Sequence, residues 1–497
     1  MSGTHTAPRK NTSMSRALAS DRLGVPSVLF FVLASVAPLT VAAGVVPTAY
    51  ATTGLTGIPA GFIAVAIILA IFATGYVAMT RHITNAGAFY AFISRGLGRV
   101  VGVAAALIAL LSYTFLQVGL YGAFGPSARG EAITYLHLDW PWWAWALIAW
   151  GIVTVLGLLR VDVTGRVLGF FLTAEVILIV VLTVSGLIHP AGGSLSFSTL
   201  EPSALAKSGF GTFGVLAVVA VLGFIGFEQA PVLAEEARNQ RRTIPLATYF
   251  ALGMICVVYA AASWAMAANV GAGKVVGDAG QMGPGLFFGM GSHDLQVLGG
   301  LLFMTSLFAA ALSFHNCVWR YIYALGREGV LPSALGRTGS NSIPKAASLT
   351  QSFTGFVAIV VFAIGGWDPM VHLFFWLGTT GGFGVLILLA LTSVAIIAFF
   401  RSDARGESAW HRLIAPGLSV VLLAGIVVLS VMHYDILLGV AHGSVVAWAL
   451  PATYAVVAVI GLLWGVALRT SRPETYASVG LGANAATGQL HPAHREL

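Results

Sequence analysis

Residues 223–245 read GFIGFEQAPVLAEEARNQRRTIP, and this stretch decides how the rest of the chain is read. A hydrophobic run enters it, Gly223 and Gly226 weaken the helix, Glu228 follows, and the segment leaves through a basic loop holding Arg238, Arg241 and Arg242. A glycine inside a helix costs about 1 kcal/mol relative to alanine. An acid at the centre of a bilayer costs roughly 2.5 kcal/mol or more. A membrane span that carries both features is a candidate functional site, because ionisable groups at that depth mark substrate and ion pathways.

Working outward, the 497-residue chain is 58% hydrophobic and only 9% charged, with a mean hydropathy of +0.89. A soluble protein carries about 25% charge, so lipid is the main solvent and the chain is counted in spans of about 20 residues. Twelve spans are expected, near 27–50, 58–79, 101–123, 142–160, 166–188, 211–235, 246–268, 295–325, 346–365, 370–400, 413–432 and 448–468. The eighth and tenth run long, so they tilt or extend beyond the bilayer. Residues 1–24 read as a polar tail with no cleaved signal peptide, 25–470 as the membrane domain, and 471–497 as a second tail. The Gly/Ala-rich end from Ala477 to Leu497 reads as disordered.

The net charge of +7 does not point to nucleic acid, because its distribution follows membrane topology. With the N-terminus inside, 22 of the 25 basic residues fall on one side, and only Arg129, Lys207 and Lys274 on the other. The positive-inside rule then places both termini in the cytoplasm of a multi-pass plasma-membrane protein. Cys256 and Cys317 both lie inside spans, too far apart for a zinc motif, and read as packing residues. No phosphate-binding loop, HExxH or GxSxG pattern occurs, so neither cofactor, metal site nor enzymatic activity is expected.

The first span contains Ser35, Val36, Ala37, Pro38, Leu39 and Thr40, then Gly44 and Pro47. Pro38 removes a backbone donor in mid-span. The sixth span repeats the interruption with Gly223, Gly226 and Pro231 around Glu228. Interruptions at the first and sixth positions imply two five-span repeats, about 27–188 and 211–400, of opposite orientation, with 413–468 as additional helices. Irregular backbone at membrane depth is tolerated only where protein or a wet cavity receives it, so the breaks should face one another near the midplane.

Opposed half-helix ends offer N–H groups to an anion and carbonyls to a cation. A zwitterionic amino acid, or a related amine, fits that pair of poles. Glu175 and Glu228 are the two acids well inside spans, and no base is similarly placed. They are the proton-coupling candidates, either neutral when buried or meeting a cation from substrate or solvent. Ser313 and Asn316 share a face of the eighth span, and Tyr113, Gln117 and Trp376 are candidate pocket walls. Thr305 and Ser306, with carbonyls of the first span, form the less favoured sodium alternative.

Three segments carry a family resemblance: residues 223–245, NAGAFYAFISRGLGRVVG after the second span, and NCVWRYIYALGREGVLP at the end of the eighth. With twelve spans, they resemble the amino acid, polyamine and organocation permeases of LeuT-like fold, over residues 25–470. The resemblance implies an all-α membrane protein with a five-plus-five inverted repeat and broken first and sixth helices, working by alternating access. It also implies that Ala34, Ser35, Val36, Ala37, Pro38 and Leu39 contact the substrate carboxylate. Gly223, Phe224, Ile225, Gly226 and Phe227 would receive the amine. Leu222 stands where arginine–agmatine exchangers carry a gating tryptophan, leaving Phe224 or Phe227 as the aromatic gate. Glu175 stands where several proton-coupled members carry a lysine. The resulting expectation is a secondary active permease importing an amino acid with protons. A polyamine or amine permease, or an amino acid exchanger, is the alternative, and a transporter-like substrate sensor the remoter one.

Overall fold

The computed structural model describes residue 18 and residues 22–159, 161–206, 209–338 and 343–482. Among these, regular structure is helical throughout, apart from one parallel bridge between Leu23 and Ala237. Eleven helices are long and apolar enough to cross a membrane. They are Val25–Thr53, Ile58–Thr80, Arg99–Leu136, Gly165–Ile188, Thr212–Leu233, Gln240–Val270, His293–Arg327, Lys345–Ile364, Pro369–Arg401, Trp410–Met432 and Val445–Ser471.

The expected fourth span is a shorter apolar helix, Trp142–Gly157. Its 16 residues rise about 24 Å at 1.5 Å each, less than the roughly 30 Å hydrocarbon core. It holds the fourth place in chain order, after the span Arg99–Leu136 and before Gly165–Ile188. The eighth and tenth spans do run long, at 35 and 33 residues, and the third is longer still at 38.

That third span is the central strut, packed on the eighth, tenth and twelfth. Small residues allow the approach, as is usual where helices pack in lipid. A Cβ added to Gly461 in the twelfth span would lie 2.4 Å from Ala104 Cα, and one at Gly465 would lie 2.9 Å from Val100 Cα. Burial sorts the spans by role: 94% of the sixth span's apolar window and 78% of the first's are buried, against 17% of the twelfth's. The two interrupted helices therefore form the interior, and the twelfth faces outward.

The expected disordered tail is ordered in part. Helix Pro473–Ser478 follows the twelfth span, and residues 479–482 return onto the end of the eighth. Expectations for Arg9, Lys10, Arg16, Arg160, Lys207 and Arg495 lie outside the described residues.

Candidate functional site: the paired helix breaks

The first span is an α-helix only as far as Val36. Ala37 adopts left-handed backbone (φ 52°, ψ 67°), and its N–H turns back to the carbonyls of Leu33 and Ala34. Such backbone costs a non-glycine residue about 1–2 kcal/mol, so packing must hold it. Pro38 opens the next half-helix, a position suited to its fixed φ and missing N–H. The chain continues through Pro38–Thr40 and a wide turn at Val41–Val45 into Val46–Thr53.

The sixth span stops at Phe224, and Gly226 (φ 122°) leads into a tighter 3₁₀ turn over Phe227–Leu233. A Cβ on Gly226 would lie 2.8 Å from the Val36 nitrogen and 2.9 Å from Ser35 Cβ. The two breaks touch, and glycine is required both by the backbone angle and by the approach.

Glu228 is fully buried and ties the sixth break together. Its Oε2 accepts from the Gly226 N–H at 2.8 Å, and its Oε1 accepts from the Tyr113 hydroxyl at 2.9 Å. The Tyr76 hydroxyl donates to the Glu228 carbonyl at 2.9 Å. Second, third and sixth spans are thus pinned through one residue. Glu175 differs: it faces Ser306 and the Leu39 N–H at the start of the second half-helix. Its Oε1 and the Ser306 hydroxyl lie within reach of one another but make no hydrogen bond of ordinary geometry among the described residues. Thr305 bonds back to the Leu302 carbonyl at 2.8 Å.

Hydroxyls join the breaks to the eighth span. Ser35 Oγ lies 2.9 Å from Gln229 Oε1 and 2.5 Å from Ser313 Oγ, which lies 2.8 Å from the Phe31 carbonyl oxygen, so the two hydroxyl protons serve two of these three contacts at a time. On the Thr40 side of the breaks lies a cavity of about 190 Å³, lined by Leu116, Val219, Leu222, Ile225, Phe303 and Phe374 with Thr40, Thr48 and Thr379 among its polar members. No acid or base is among its described lining residues.

Residues 27–476 match the model of a family described as amino acid permease. The chain belongs to the amino acid permease family. This permease is 24% identical over 375 residues, 70% of its own length and 76% of the other's, to the branched-chain amino acid permease BcaP of Lactococcus lactis subsp. cremoris (strain MG1363). Its function class is amino acid transport, in keeping with the membrane-spanning helices.

On the other side of the permease's breaks, Phe31, Gln229, Ser313, Asn316, Cys317 and Arg320 close around a void of about 10 Å³, which forms a seal at that point. Arg320 is buried in the eighth span and donates to Glu236 Oε2 at 2.8 Å and to the Asn316 carbonyl at 2.7 Å, with its guanidinium 4.1 Å from the Trp319 ring. Two turns on, Arg327 grips Glu235 through two hydrogen bonds, at 2.6 and 2.8 Å. Arg320 corrects the expectation that no base is buried within a span: its partner, Glu236, comes from the loop after the sixth, so sequence spacing gave no sign of the pair.

The expected pocket residues separate into groups. Ala34, Ser35, Val36, Ala37, Pro38 and Leu39 are buried at the first break, and Gly223 packs near Val41. Ile225 lines the cavity with Leu222, whereas Phe224 packs on Phe62 and Tyr259, and Phe227 on Phe72. Gln117 bonds to Tyr121 and Gln351, Asn316 to the Leu312 carbonyl and Trp319, and Trp376 to the Leu438 carbonyl. Sequence reading missed Leu116, Val219, Phe303, Phe374 and Leu437. Nothing distinguishes an apolar residue facing a cavity from one facing lipid until the helices are assembled. Among the described residues, no group of three or more His, Cys, Asp or Glu side chains is placed to hold a metal.

Proposed function

We propose that this permease is a secondary active importer of an amino acid with an apolar side chain, working by alternating access and driven by protons. The observation that carries the reading is the contact of Gly226 with Val36, beside an apolar cavity on one side and buried ion pairs on the other. The substrate carboxylate meets the N-terminal end of the half-helix at Pro38, and the ammonium meets carbonyls where the first half of each broken span ends. The side chain enters the cavity beside Leu222 and Ile225. An engineered cavity of about 150 Å³ lined by Leu, Ile and Phe admits benzene, so this volume suits a branched aliphatic side chain. The Lactococcus relative is a branched-chain amino acid permease, which agrees with that choice.

Two inverted five-span repeats, about 27–188 and 211–400, supply the pseudo-symmetry that alternation needs, and 413–468 flanks them. The arginine-rich face is cytoplasmic by the positive-inside rule, with both termini there and the protein in the plasma membrane. Glu175 is the proton carrier in this reading, because its Oε1 beside the first break accepts no hydrogen bond of ordinary geometry among the described residues and has a use for a proton. Glu228 braces the sixth break.

Uptake into proteoliposomes tests this. Labelled leucine should accumulate under an inward proton gradient, without internal amino acid, and lysine or putrescine should not compete. Uptake that requires internal amino acid would establish an exchanger, and competition by putrescine an amine carrier. Specific binding without accumulation would establish a sensor.

A further inference from the structure

The C-terminal segment does more than end the chain. Glu328, directly after the eighth span, is buried, and both its carboxylate oxygens are taken up by backbone N–H groups: Gly480 donates to Oε2 at 2.8 Å and Gly482 to Oε1 at 2.9 Å. Asn85 donates to Oε1 at 2.9 Å, and the Ser478 hydroxyl donates to the Glu328 carbonyl at 2.7 Å. Val479 is buried, and the Tyr476 ring lies under the Arg99 guanidinium at 5.6 Å. Both glycines have positive φ, at 79° and 61°, and a Cβ would meet Ser94 Cβ at 2.9 Å and the Thr84 carbonyl oxygen at 2.7 Å. The segment is therefore a fitted strap across the basic face.

The strap sits one residue from the seal. Arg327, next to Glu328, holds Glu235, and that same carboxylate accepts from the Ala86 N–H at 3.0 Å, next to Asn85. Arg327 has a buried Nε without a hydrogen-bond partner among the described residues. Glu328 and Glu235 are thus two carboxylates within electrostatic reach of one guanidinium. With Gly480 and Gly482 on Glu328, Arg327 is bonded to Glu235.

We propose that residues 473–482 form a latch on the cytoplasmic gate: when the strap undocks, Glu328 takes Arg327 from Glu235, and the eighth span separates from the loop after the sixth. The strap shifts the balance between states because it binds the state in which Glu328 faces Gly480 and Gly482, and not the state in which Glu328 has turned to Arg327. A ligand or partner that captures the tail would thereby open the inner gate. The inference rests on the alternating-access reading and on the basic face being cytoplasmic.

Cys317 is a native reporter, buried just behind Arg320. In a Cys256→Ser background, a membrane-impermeant maleimide is applied to inside-out vesicles and labelling of Cys317 is timed. Ending the chain after Arg472 should raise the rate about tenfold, and ending it after Gly482 should leave it unchanged. Adding Glu328→Gln to the shorter chain should return the rate to near the full-length value, because the amide cannot compete for Arg327. Unchanged labelling in the shorter chain, or a rise that Glu328→Gln does not reverse, would overturn the latch. If the shorter chain is not recovered folded, Gly482→Val in the full chain decides, since its Cβ strikes Thr84 while Glu328 stays intact; unchanged labelling there counts equally against the latch. Wild-type leucine uptake measured in parallel separates the readings: intact uptake with unchanged labelling defeats the latch alone, and absent uptake defeats the transport reading.

Discussion

Gly226 presses its backbone against Val36, so that a Cβ on the glycine would sit 2.8 Å from the Val36 nitrogen. Contact between the two interruptions turns separate weak points in two helices into one site. The glycine also stands at φ 122°, outside the range that side-chain-bearing residues adopt readily.

Replacing Gly226 with alanine should therefore abolish most transport while the protein still reaches the membrane. The expected loss in initial uptake is at least tenfold, the equivalent of about 1.4 kcal/mol, measured in vesicles normalised to protein content. Alanine at Gly425, where a Cβ would meet nothing within 4 Å, is the matched control and should transport normally.

The Arg320–Glu236 pair makes an opposed prediction about stability. Removing one partner leaves a buried charge, which costs about 3–5 kcal/mol, whereas replacing both with apolar groups recovers much of it. Arg320→Met alone should lower the melting temperature in detergent, and Glu236→Leu added to it should restore part of the loss. A double variant melting below the single one would show that the Asn316 and Trp319 contacts of Arg320, not the ion pair, dominate.

Cavity residues should set specificity without setting stability. One methylene more or less in a hydrophobic pocket is worth about 1–3 kcal/mol of discrimination. Leu222→Ala and Ile225→Ala should each weaken leucine uptake roughly tenfold and relatively favour phenylalanine, read as the ratio of the two kcat/KM values. Phe224→Leu, on the face packed against Phe62 and Tyr259, should leave that ratio unchanged.

Much of this architecture is legible before folding, for identifiable reasons. Helical class follows from hydropathy, and the breaks follow from Pro38, Gly223 and Gly226, since proline and glycine act locally. The ordered strap was hidden because Gly480 and Gly482 look like linker composition, and only the distant Glu328 gives their N–H groups a partner. Arg320 read only as one more basic residue near the cytoplasmic end of the eighth span for the same reason: its burial depends on Glu236, 84 positions away. The roles of Phe224 and Ile225, adjacent in sequence, diverge once the helix ends between them and one faces the cavity.

Glu175 provides the sharpest separation between the two buried acids. Glu228 has hydrogen-bond partners on both oxygens, so a proton there displaces existing donors. Glu175 has an oxygen that accepts no hydrogen bond of ordinary geometry among the described residues, beside a Ser306 hydroxyl in the same condition. Protonation gives Glu175 a hydroxyl to donate and removes the cost of a buried charge, and deprotonation becomes favourable once water reaches the first break. Glu175→Gln, which mimics the protonated carboxyl, should keep leucine exchange but lose accumulation driven by an acid exterior. Uptake of wild type should rise as external pH falls from 8 to 6, and the variant should show a flat profile over the same range. Glu228→Gln should instead reduce uptake at every pH and lower the melting temperature, because the amide nitrogen cannot accept from Gly226 or Tyr113. A pH dependence that survives Glu175→Gln and disappears in Glu228→Gln would reverse the assignment and make the sixth break the proton site.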